Sequence, residues 1–221
     1  CGDPTQGVIA FVKNERTTHE LRISSEGERV RWVGGLFYDD IETSVDTNFF
    51  VAGSIGFFAP QRPHSQSTQF NPNPRGPGIT FVNDAIRSEE QTAIFGEVTF
   101  DVTDKVSLTA GARYYDIESS LVGSSNFATL GDVDEDGGRS FDLIFAGLLP
   151  LKQSDTILKG SIAYQHTEDT LFYFTYAEGF RPGGFNRIDN LGVPKTYISD
   201  EVTNFEFGWK STLLDGNLRF N

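Results

Sequence analysis

Strict alternation along Gln91–Tyr115 constrains this chain more than any other feature. In its second run, Val106, Leu108, Ala110, Ala112 and Tyr114 fall on one side. Ser107, Thr109, Gly111, Arg113 and Tyr115 fall on the other. Period two with one apolar side is the signature of a β-strand with two unlike faces. The first run sets Ile94, Val98 and Phe100 against Glu97 and Thr99, and the polar connection 101–105 joins the two runs. Two such runs across a short polar turn make an antiparallel hairpin.

The design repeats along the chain. Leu21 and Ile23 oppose Glu20 and Arg22, and Val30, Trp32, Leu36 and Tyr38 oppose Arg29, Arg31, Val33 and Phe37. Leu158–Gln165 alternates. Phe172, Phe174, Tyr176 and Phe180 oppose Tyr173, and Phe205, Phe207 and Trp209 oppose Asn204, Glu206, Gly208 and Lys210. The chain is expected to be an all-β antiparallel meander.

Connection lengths add an asymmetry. Short turns fall near 25–28, 101–105, 167–169 and 214–217, and polar or Pro/Gly-rich stretches near 42–88, 118–156 and 181–197 read as long loops. Short turns at one end and long loops at the other are the plan of an outer-membrane barrel. A soluble up-and-down barrel or sandwich shows the same alternation, although loops this long are uncommon in one. The polar side carries Glu20, Arg22, Arg31, Glu97, Arg113, Glu206 and Lys210 in mid-strand. A wide barrel turns its apolar side to lipid and its charges to a wet or plugged lumen. Alternation alone does not say which side is outside. Trp32, Tyr38, Phe100, Tyr114, Tyr164 and Trp209 lie near strand ends, as interfacial girdles require, and this favours the membrane barrel.

Composition removes other classes. A net charge of −13 opposes nucleic-acid binding. No apolar run reaches the roughly 18 residues of a transmembrane helix. The N-terminus shows no signal-peptide pattern, so any such signal is expected to be removed or to lie outside this chain. The single Cys1 allows no internal disulfide, and His19, His64 and His166 are scattered, so no metal or cofactor is expected. Asp132, Asp134 and Asp136 echo the start of a calcium loop but have no Glu at its twelfth position, so a solvated loop is the preferred reading. No nucleophile, base and acid are placed together, so no enzyme is expected.

Four blocks carry a family resemblance: HELRISSEGERVRWVGGLFY (19–38), QTAIFGEVTFDVTDKVSLTAGARYY (91–115), the aromatic strand entering YAEGFRPGGFN (176–186), and EVTNFEFGWKSTLLDGNLRFN (201–221). In this order they resemble consecutive barrel hairpins of TonB-dependent outer-membrane receptors of the iron-complex branch. That resemblance implies a barrel of about 22 strands closed by an N-terminal plug. It implies a Gram-negative outer membrane, its lipid as solvent, and the TonB–ExbB–ExbD complex as energy source. The cargo would be a scarce ligand such as a ferric siderophore. This sequence shows neither plug nor TonB box, so residues 1–221 are expected to form part of one such barrel. The resemblance implies that Glu20, Arg22, Arg31, Glu97, Arg113, Glu206 and Lys210 face the lumen and plug. It also implies that Phe180, Arg181, Phe185 and Arg187 meet ligand from an external loop. The runner-up is a small passive, porin-like barrel with no energy coupling.

Overall fold

A computed structural model describes residues 5–51, 79–127, 147–186, 192–214 and 217–220. These form β1 (Gln6–Glu26), β2 (Val30–Val51), β3 (Ile79–Thr103), β4 (Val106–Phe127), β5 (Leu151–Thr167), β6 (Thr170–Arg181), β7 (Gly184–Phe185), β8 (Thr196–Tyr197), β9 (Asp200–Leu213) and β10 (Leu218–Phe220). All but β7 and β8 make one antiparallel eight-stranded sheet, in the lateral order β1-β2-β3-β4-β5-β6-β9-β10. Every neighbour in sequence is a neighbour in space, except that β7 and β8 pair only with each other between β6 and β9. The sheet is an open section of barrel wall, with β1 and β10 as its edges.

The register fixes the faces. Arg22 pairs with Gly35, Gly35 with Phe95, Phe95 with Arg113 and Arg113 with Ile157, so one face runs unbroken across five strands. Its opposite carries Leu21, Ile23, Trp32, Leu36, Ile94, Val98, Leu108, Leu158, Ile162, Phe174, Phe205 and Phe207, all exposed. Phe207 is 73% exposed. So continuous an apolar face, bare of protein contacts, belongs against lipid.

Aromatic side chains bound this belt. At the short-turn end Trp32, Phe100, Tyr164, Phe172, Trp209 and Phe220 form a row. Phe172 stacks on Trp209 at 6.3 Å, and Trp209 meets Phe220 at 4.9 Å. At the other end stand Tyr38 and Tyr114. Beyond them the strands do not stop. β3 is 25 residues long, where about 10 cross a bilayer.

The loop expectation is therefore corrected. Residues 42–51 and 79–88 continue β2 and β3, residues 118–127 continue β4, and residues 151–156 open β5. Within 181–197, β7 and β8 pair as a miniature hairpin. These stretches read as loop because polar residues occupy the side that is apolar lower down. A ladder of backbone hydrogen bonds needs no apolar side chain to continue. Residues 52–78 and 128–146, including Asp132, Asp134 and Asp136, lie outside the described residues, as does Arg187.

Above Tyr38 and Tyr114 the two faces exchange character. On β4 the belt side passes from Leu108 and Tyr114 to Asp116, Glu118 and Ser120, while the other side passes from Thr109 and Arg113 to Tyr115, Ile117, Ser119 and Leu121. On β2 the belt side passes from Leu36 to Asp40 and Glu42, and the other side reaches Ile41 and Val45. The buried core lies here: Ala93, Tyr115 and Ile117 in one cluster, Ala85 and Leu121 in another.

Candidate functional site

Two zones of the inward face carry the polar chemistry. In the lower zone, between the aromatic rows, the charged side chains are held by one another and by aromatic rings, within one strand or across one or two. Lys159 Nζ donates to Glu97 Oε2 at 2.7 Å. Arg22 pairs with Glu20 and lies over the Phe95 ring, 5.8 Å from its centroid. Arg113 covers Phe37 at 4.7 Å. Tyr173 donates its hydroxyl to Glu206 at 2.6 Å, and Lys210 sits over the same ring at 5.4 Å. At the short-turn rim Arg31 grips Asp101, with Nη2 to Oδ1 at 2.9 Å, and Ser107 donates to the same oxygen at 2.6 Å. All of these side chains remain partly or wholly accessible, as a wet lumen requires.

Two glycines let this wall close up. A side chain at Gly35 would come within 2.6 Å of the Phe95 ring, and one at Gly208 would overlap the Tyr173 ring. Each aromatic lies across the glycine directly opposite it in the ladder. The missing Cβ is what gives the ring its seat.

The upper zone is a vestibule beyond the girdle. On its wall Arg16 donates to both oxygens of Asp39, at 2.8 and 3.0 Å, and Thr18 adds a third hydrogen bond at 2.6 Å. The Arg16 hydrogen bond, helped by Thr18, holds Asp39 below the usual carboxylate range against the opposing effect of burial. The end of β6 and the described residues between β6 and β9, 182–186 and 192–199, fold inward over this wall. The Phe180 ring stacks on Tyr115, centroids 3.7 Å apart and planes 10° apart. Gly183 N–H donates to Gln153 Oε1 at 2.8 Å. Phe185 packs against Ala85 and Leu121, on β3 and β4. Asn186 closes the miniature hairpin, its N–H donating to Lys195 O at 2.8 Å. Tyr115 is 1% exposed. Burial raises its hydroxyl pKa, Asp155 and Glu201 add to the rise, and a hydrogen bond with Ser199 opposes it.

The expected lumen residues, Glu20, Arg22, Arg31, Glu97, Arg113, Glu206 and Lys210, all fall on one face. The four residues expected to meet ligand are dispersed. Phe180 and Phe185 turn their rings to the wall, and Arg181 pairs with Asp200. Sequence reasoning missed Gln153 and Tyr115 as anchors. Period two had already put Tyr115 on the side that carries Arg113, but nothing local marks Phe180 as its partner across 65 positions of chain.

Comparison with known proteins gives the family. The family described as "TonB dependent receptor-like, beta-barrel" matches over residues 7–221. The chain belongs to this family. Among curated relatives, the pesticin receptors of Yersinia pestis and Yersinia enterocolitica are 26% identical over 131 residues, 59% of this chain and 18% of theirs. Among solved structures, the ferric yersiniabactin uptake receptor of Yersinia pestis superposes with a TM-score of 0.67 at 17% identity, over 95% of this chain and 28% of that one. The siderophore receptor of Acinetobacter baumannii gives 0.59 at 16%, over 95% and 31%. The alcaligin outer-membrane receptor of Bordetella pertussis gives 0.54 at 12%, over 97% and 28%. This TonB-dependent receptor chain thus spans under a third of the length of the relatives and structures it matches.

Proposed function

We propose that the chain is a section of the barrel wall of a TonB-dependent receptor in a Gram-negative outer membrane, importing a ferric siderophore or a similar scarce chelate. The observation that carries this reading is the two-faced wall of a family member: an apolar belt between aromatic rows outside, a continuous charged face inside. A passive pore needs no such dense inner network, and the family match favours energy coupling. In this reading Glu20, Arg22, Arg31, Glu97, Arg113, Glu206 and Lys210 seat a plug domain of the same receptor, and TonB–ExbB–ExbD supplies the work of moving it. Side chains already paired across strands make a rigid socket, because exchanging an existing partner for a plug residue changes little in free energy.

The test is uptake of iron-55 chelates by cells carrying the receptor, with and without a working TonB. Uptake that needs both supports the reading. Uptake independent of TonB restores the passive pore. Fractionation that leaves the protein outside the outer membrane removes both.

A further inference from the structure

The inward-folded segment decides what the vestibule offers a cargo. Its backbone is pressed against the wall: the Ile198 carbonyl carbon lies within 2.8 Å of where a Gly183 Cβ would stand, and Gly183 is itself tied to Gln153. Ser199 reaches Tyr115. Phe180 and Phe185 are the apolar feet of this strap. With its backbone held against Gly183, the Ile198 side chain is left bare by the described residues around it. It is 84% exposed, the most exposed large apolar side chain among the described residues. Tyr197, which ends β8 and lies with its ring against Gly184, is 45% exposed, and Val202 just beyond is 60% exposed.

Charge points the same way. Arg16 is matched by Asp39, Arg87 by Glu89 at 3.7 Å, and Arg181 by Asp200. Asp155 and Glu201 add carboxylates beside Tyr115. Among the described residues of this wall, a polyanionic chelate would meet no arginine that lacks a carboxylate of its own, and it would meet added negative charge. An uncharged or weakly charged chelate with an apolar or aromatic rim would bury Tyr197 and Ile198 without breaking an ion pair.

We propose that Tyr197 and Ile198, presented by the strap, are specificity-determining contacts and that they select a chelate of low charge with an apolar or aromatic rim. This rests on the transport reading above. The height of the strap supports cargo as the occupant, since it lies beyond Tyr38 and Tyr114, on the side of the wall away from the short turns.

The test uses the whole receptor in cells with an intact TonB system and three iron-55 probes. These are an uncharged ferric trihydroxamate, an aromatic ferric phenolate chelate of low charge, and a trianionic ferric tris-catecholate. TonB-dependent uptake of at least one low-charge probe should exceed that of the tris-catecholate by about tenfold or more. Ile198→Glu should raise the half-saturating concentration by about tenfold, the size expected for losing one buried aliphatic contact. Ile198→Val should stay near the parent. Preference for the tris-catecholate, or an unchanged half-saturation in Ile198→Glu, overturns the proposal while leaving the transport reading intact. TonB-dependent uptake of none of the probes overturns the transport reading and this proposal with it. Heat-modifiable migration on gels checks that each variant folds. Should Ile198→Glu fail that check, Tyr197→Ala and the probe ranking of the parent receptor decide the matter.

Discussion

The same strands build two different walls. Between the aromatic rows, β2, β3, β4 and β5 turn apolar side chains outward and charges inward. Beyond Tyr38 and Tyr114, β4 turns Asp116, Glu118 and Ser120 outward and Tyr115, Ile117 and Leu121 inward, and β2 turns Asp40 and Glu42 outward and Ile41 and Val45 inward. No break in register separates the halves of β4: the ladder to β3 runs unbroken from Asp101 to Phe81. What changes is the solvent. Below the girdle the outer side meets lipid, which takes apolar side chains at no cost. Above it the outer side meets water, and burial must be found on the inside. Secondary structure is indifferent to the exchange, because each strand's hydrogen bonds go to its neighbours in both zones.

The sharpest way to break this comparison is to cut one side chain from each half of the inward face of β4. Tyr115→Ala removes a buried ring stacked on Phe180. It should cost about 3–5 kcal/mol, the usual range for deleting a core aromatic. Arg113→Ala, two positions earlier on the same face, loses a partly exposed cation–ring contact and should cost about 1 kcal/mol or less. Urea unfolding of the receptor in detergent, followed by tryptophan fluorescence, measures both. Equal losses would mean that the halves do not differ as described.

The outward face supplies the complementary pair. Leu108→Arg places a cation in the apolar belt and should cost about 2–4 kcal/mol, with loss of the heat-modifiable form in the severe case. Ser120→Arg lies on the same face of the same strand, above the girdle, and should change stability by no more than about 0.5 kcal/mol. If Ser120→Arg were as damaging as Leu108→Arg, the lipid boundary would have to be moved up β4.

A third pair sharpens the picture within the lower zone. Gly208→Ala would drive a methyl group into the Tyr173 ring, whereas a Cβ at Gly160 meets nothing within 4 Å. The first should cost about 1–3 kcal/mol as overpacking. The second should be neutral or slightly stabilising, since alanine has less freedom to lose on folding. The same unfolding assay separates them, and equal effects would show that the ring does not occupy its seat.

How much of this was legible follows from the range of each interaction. Period two is local, so the grouping of Arg113, Glu97 and Lys210 on one face, with the apolar residues on the other, could be read directly. The upper strands could not. Reading Glu118–Ser120 as loop followed from its polar outer side, and the inversion that explains that side depends on where the lipid ends. The strap was less legible still. GFRPGGFNR reads as a turn, and its described residues end β6 and enter the miniature hairpin, but their packing on Tyr115, Gln153, Ala85 and Leu121 joins separate places in the chain. Aromatic residues in a turn suggest exposure to ligand. Here two of them are feet, and the exposed apolar surface passes to Tyr197 and Ile198.

The smallest effect lies at the short-turn rim, below both zones. Asp101 accepts from Arg31 and Ser107, and these hydrogen bonds, the Arg31 one first, hold its carboxyl at about 2, below the ordinary 3.8. A carboxyl depressed on folding adds stability that is complete above its unfolded pKa and lost as pH falls through the folded one. The contribution should therefore be full above about pH 4 and fade toward pH 2. Both partners are partly exposed, so the gain is small and screened by salt. Asp101→Asn should flatten that portion of the stability–pH curve while leaving stability at pH 7 only slightly reduced. Urea midpoints of parent and variant between pH 5 and pH 2 give the comparison. Parallel curves across that window would show that Arg31 does not depress Asp101 in solution, and would leave the rim to its backbone hydrogen bonds, such as that from Asp101 N–H to Arg29 O.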